Sequence, residues 1–106
     1  MKLGTWVHLE KLSTTNPGEY SDGYWSEGIL LADISRGKPI LLARYQRAAR
    51  DPGETSPVVA PGLFRSSPVV IWSKCDSGKV GIKTANSVWE LSEIDPLDTA
   101  PNALPL

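Results

Sequence analysis

The sequence predicts an all-β protein, a small, partly open SH3-like or OB-like barrel of five or six strands. Three observations carry that expectation. Several short runs alternate apolar and polar residues at period two. Gly, Asn and Asp turn signals separate them. Residues Gly62 to Ile94 read as a β-meander of three runs, joined by turns at Asp76-Ser77-Gly78 and Ala85-Asn86. The chain upstream supplies further strands that close a sheet around this meander.

The first strand is Thr5 to Glu10, with Val7 and Leu9 on one face and Trp6, His8 and Glu10 on the other. After Lys11 and Leu12, the polar stretch STTNPGEYSDG is a long loop with Asn-Pro-Gly and Asp-Gly turn signals. It holds Tyr20 and delivers Tyr24 and Trp25 at its far end, either as a lid on the barrel or as a recognition patch. Trp25 to Ile34 is strand-like, and Gly28 within it marks a bend or bulge. Ser35-Arg36-Gly37-Lys38 is a tight turn, and Pro39 suits the first residue of the next strand.

Residues 39–53, PILLARYQRAARDPG, support two readings. Leu41, Leu42, Tyr45, Ala48 and Ala49 share a helical face, and propensity favours a helix. Two apolar runs joined by a Gly turn favour a hairpin instead. The strand reading is taken to about Gln46, leaving one short helical turn for Arg47–Arg50. Asp51 to Pro61 is a Pro/Gly-punctuated connector with one extended piece at Val58-Val59. Val69 to Trp72 is apolar on both faces and is expected to be a central, buried strand. Val80 and Ile82 pair back across the Asp76-Ser77-Gly78 turn, and Val88 to Leu91 closes the sheet with Trp89 and Leu91 on one side. Domain organisation follows: one barrel domain over residues 1–94 and a Pro-rich acidic tail, expected to be flexible, over 95–106.

A chain of 106 residues can bury about 60–65% of its unfolded surface, enough for one modest core. The formal charge of −1 exerts no global pull on nucleic acid. Its distribution is uneven. Residues 36–50 carry five basic side chains and no acid, whereas 84–106 carry four acids and no base. No secretory leader or membrane span is legible, and one cysteine allows no internal disulfide, so a cytoplasmic protein is expected.

The inventory of reactive groups is thin. His8 is the sole imidazole and Cys75 the sole thiol. Cys75 is expected to be a small core residue and His8 a solvent-facing strand residue. No ligand spacing for zinc exists, and Gly37-Lys38 and Gly78-Lys79 lack the spacing of a phosphate loop, so no metal and no cofactor is expected. Acid–base chemistry would draw on Glu10, Glu27, Asp33 or Glu90, and nothing in the sequence places any two together.

Two sets survive as candidate partner-binding residues. One is the arginine set Arg36, Arg44, Arg47 and Arg50, read otherwise as a charged edge strand protected from aggregation. The other is aromatic: Trp6, Tyr20, Tyr24 and Trp25, with Trp72 and Trp89 assigned to the core. The expected function is a non-enzymatic interaction or regulatory module for a protein partner with an acidic surface. Single-stranded nucleic acid is the alternative partner. Phe64-Arg65-Ser66-Ser67-Pro68-Val69 followed by Thr84-Ala85-Asn86-Ser87-Val88-Trp89-Glu90-Leu91 resembles a pattern in small bacterial and phage-type proteins. That resemblance covers about a third of the chain, implies a compact β-barrel-like meander and supplies no activity; the expected interaction module could serve as a phage- or mobile-element-type accessory protein.

Overall fold

In the computed structural model, which describes residues 3–14 and 22–95, six antiparallel strands form one closed barrel. They are β1 (Trp6–Thr14), β2 (Trp25–Leu30), β3 (Pro39–Arg47), β4 (Val58–Lys74), β5 (Val80–Thr84) and β6 (Ser87–Glu93). Each strand pairs with its neighbours in sequence, and β1 pairs with β6 to close the wall. The small all-β barrel expected from the sequence is therefore the fold.

Period-two alternation fills the interior. Val7, Leu9, Leu30, Ile40, Leu42, Phe64, Val69, Val80, Ile82, Trp89 and Leu91 are all buried in one core. Phe64 meets Trp89 edge-on at 5.5 Å and stacks with Tyr24 at 6.4 Å. Lys11 continues the inward row of β1 at 1% exposure. Among the described residues, no buried polar side-chain atom lacks a hydrogen-bond partner.

Bulges shape the barrel more than its turns do. β4 has 17 residues and would span about 55 Å if straight, yet the longest dimension of the molecule is 38 Å. At three places β4 carries one more residue than the strand beside it. Pro68 and Arg65 face Pro39 and Leu41; Gly62 and Val59 face Arg44 and Gln46; Val69 and Ile71 face Thr84 and Lys83. Each extra residue bends and twists the strand, so β4 wraps from β3 round to β5. Leu12 and Tyr45 are the extra residues of β1 and β3.

Several expectations need correction. Arg47–Arg50 is not helical. Ala48 N donates to Trp25 O at 2.9 Å, Ala49 N to Ser56 Oγ at 2.8 Å, and Arg50 N to Glu54 Oε1 at 2.9 Å. Those amides are taken by groups across the loop, which leaves none for a helical turn. The second strand ends at Leu30, four residues short of Ile34. Val58 to Pro61 of the connector and the Val69 run belong to one strand, β4, while residues 51–57 are turns and bends. Val70, Ile71 and Trp72 are exposed: the bulge turns Val70 outward, Ile71 lies with Lys83 on the uncovered outer face, and Trp72, on the inner side opposite Ile82, borders an open hollow with Asp33, Ile34 and Val80. Cys75 is exposed in the β4–β5 turn, not in the core. The arginine stretch is not an edge, since β3 is paired on both sides. Tyr20 and the segment beyond Asp95 lie outside the described residues.

Candidate interaction surface

The structure divides the arginine set. Arg36 precedes β3 and Arg47 ends it, so they lie about 25 Å apart at opposite ends of the barrel. Arg36 Nε donates to Val70 O at 3.1 Å, and Arg44 Nε to Ala60 O at 2.8 Å. Arg47 makes a bidentate pair with Glu54, at 3.0 and 2.9 Å, and also donates to Ala48 O. Among the described residues, Arg50 joins an aromatic of the other set: its guanidinium lies 5.8 Å from the Tyr24 ring centroid. A cleft of about 370 Å³ lies between Asp22–Tyr24 and Ala48–Asp51. Tyr24 itself is buried in the core cluster, its hydroxyl 2.6 Å from Ser26 Oγ.

Glu54 organises the β3–β4 connection. It accepts from Arg47 and from the backbone amides of Arg50 and Asp51. These donors, the Arg47 guanidinium foremost, pull its carboxyl down to about 2. A depressed folded-state value stabilises the fold above the ordinary 4.5, and that contribution is lost as pH falls through about 2. Glu54→Gln is expected to remove this acid limb and to speed amide exchange at Arg50 and Asp51, read by NMR between pH 2 and 5.

The outer faces of β1, β2 and β3 carry a polar ladder that sequence reasoning missed. His8 Nδ1 lies 2.6 Å from Glu27 Oε2, and His8 Nε2 lies 3.3 Å from Glu10 Oε1. Gln46 donates to Glu27 Oε1 at 2.7 Å. Trp25 stacks on the imidazole at 5.4 Å, and Trp6 meets Tyr45 edge-on at 6.3 Å beside it. Glu10 pairs across strands with Glu90, which is held by Lys79 at 3.3 Å. Carboxylates facing each other across strands repel unless cations flank them, and His8 and Lys79 flank this pair. The bond to Glu27 raises the His8 pKa first, and that to Glu10 adds to it, against partial burial. Period-two parity put His8 and Glu10 on one face; the missing information was that β2 sets Glu27 beside them. Both imidazole nitrogens are engaged by carboxylates, an arrangement that holds an imidazolium in place. Trp6 and Trp25 are thus half-covered parts of this ladder.

The open apolar surface lies elsewhere. Ile71 is 58% and Trp72 44% exposed on the C-terminal half of β4. A shallow groove of about 260 Å³ runs past them, bordered by Leu12, Lys83 and Val88, with Gly81 in its lining. Trp72 also borders a smaller hollow with Asp33, Ile34 and Val80. Lys74 and Lys83 are exposed on the same two strands. Among the described residues, no cluster of His, Cys, Asp and Glu side chains could hold a metal ion, and no helix is long and apolar enough to cross a membrane. Comparison of the chain with protein-family models, with curated proteins and with solved structures gives no match.

Proposed function

We propose that the chain is a non-enzymatic interaction module, which docks an apolar, acidic segment of a protein partner on the β4–β5 face. The exposure of Ile71 and Trp72 together carries this reading. The core is filled without them, and clustered large apolar side chains open to solvent mark sites of association. Tryptophan is among the side chains enriched at binding hot spots. Lys74 and Lys83 give the surface its charge preference. The arrangement favours protein over single-stranded nucleic acid, because Arg47 is neutralised by Glu54 and Arg44 is turned to a backbone carbonyl.

Selection from a random dodecapeptide library tests the proposal. Recovered peptides are expected to combine paired apolar residues with Asp or Glu. Ile71→Ser and Trp72→Ser should each weaken their binding about thirtyfold, which corresponds to about 2 kcal/mol. Both side chains are exposed, so each substitution should shift stability by only about 0.5 kcal/mol. Binding indifferent to both substitutions would overturn the reading. So would a preference for an oligothymidylate that Trp72→Ser abolishes.

A further inference from the structure

The N-terminal half of β4 has a different, independent property. Among the described residues, Val58–Ser67 pairs only with β3, because β5 reaches β4 only at Val69–Lys74. A closed barrel therefore retains one open strand edge. Backbone N–H and C=O groups along such an edge form a template for another strand.

The side chains beside this edge narrow the choice of occupant. Trp6, Ile29, Ala43 and Leu63 are successive cross-strand partners over β1, β2, β3 and β4, and every member of the row is apolar. The row stops at the edge with Leu63, which is 64% exposed, more than any other large apolar side chain among the described residues. Val59, on the same face, is also exposed.

We propose that the edge pairs with the same edge of a second copy of this chain, antiparallel about a two-fold axis through Leu63. Antiparallel pairing is its own mate under a two-fold: the Leu63 N–H and C=O meet those of its mate, while Pro61, which has no N–H, offers only its carbonyl to the Arg65 N–H. This register sets Leu63 against its mate and joins the two apolar rows into one. Arg65 then faces Pro61 of the other copy, and the two Arg65 side chains stand about 13 Å apart along the strand. A centre at Arg65 would instead oppose two like charges. The two-fold consumes both edges, so assembly stops at the dimer.

Sedimentation equilibrium of the full chain from 1 to 300 µM tests this. The mass should rise from 11.5 kDa toward twice that value, with amide exchange at Val59–Arg65 slowing over the same range. Leu63→Lys should raise the dimer dissociation constant at least about tenfold while leaving the monomer folded, and Ile71→Ser should leave dimerisation unchanged. A monomer at every concentration would overturn the proposal. A dimer insensitive to Leu63→Lys, or one lost in Ile71→Ser instead, would do the same. Slowed exchange at Val59–Arg65 produced only by a library peptide would assign the edge to a foreign strand and reject the second copy.

Discussion

Gly28→Ala is expected to be the most damaging single substitution, removing roughly a third or more of the stability of the fold. Gly28 is buried where β2 crosses the bulge of β3, with Tyr45 as the extra residue opposite. A Cβ at this position would press on the Ala43 carbonyl oxygen. It would also sit 2.8 Å from Arg44 Cα and 2.9 Å from Ala43 C. Every obstructing atom is backbone, so no rotamer change relieves the contact. The remaining route is to part β2 from β3, which would separate Leu30 from Leu42 in the core. Overpacking that must move a strand costs about 3–4 kcal/mol. A domain of this size has a total stability in the region of 5–10 kcal/mol. Urea denaturation followed by circular dichroism should show the midpoint falling by at least about a third. Gly81→Ala is the control, because its nearest obstacle, Ser73 O, is 3.9 Å away. That variant should remain within about 0.5 kcal/mol of the parent. A Gly28→Ala midpoint close to the parent would show that the β2–β3 crossing is looser than described.

Glu27→Ala is expected to produce the second-largest loss, about 3 kcal/mol. It takes the acceptor carboxylate from both His8 Nδ1 and Gln46 Nε2, and a partly buried donor that loses its acceptor costs about 1–3 kcal/mol. The same network sets a pH dependence. His8 titrates above its ordinary 6.5 in the folded chain. Its stabilising contribution is therefore fully present below about pH 6.5 and is lost as pH rises through the raised folded value. Melting temperatures between pH 5 and 9 should fall across that window. Glu27→Ala and His8→Gln should both flatten the fall. A parent melting temperature that rises with pH over the window would contradict the assignment of a charged His8.

The legible and the hidden parts of this molecule divide along physical lines. Period-two alternation correctly separated Val7 and Leu9 from Trp6, His8 and Glu10, and the turns at Gly37 and Gly78 were readable from glycines that sit at positive φ. Alternation assumes an unbroken pleat, and each bulge resets it. Hence Val70, a bulge residue, is exposed against expectation. The run Val69 to Trp72 misled for a related reason: an apolar segment reads as central only if both faces are covered, and a barrel covers one. The ladder around His8 depended on cross-strand register. Glu27 stands 19 residues away in sequence, and only the β1–β2 pairing sets it beside the imidazole. The arginine set looked continuous because sequence proximity hides the length of β3.

The reading of the β4–β5 face as a docking surface is tested most directly by mapping amide chemical shifts of the ¹⁵N-labelled chain titrated with a library-selected acidic peptide. Perturbed amides should cluster at Leu12, Ile71, Trp72, Gly81 and Val88, with the Trp72 indole N–H among the largest shifts. Perturbations confined to the Tyr24–Arg50 cleft or to the His8 ladder, with Ile71 and Trp72 unmoved, would contradict it.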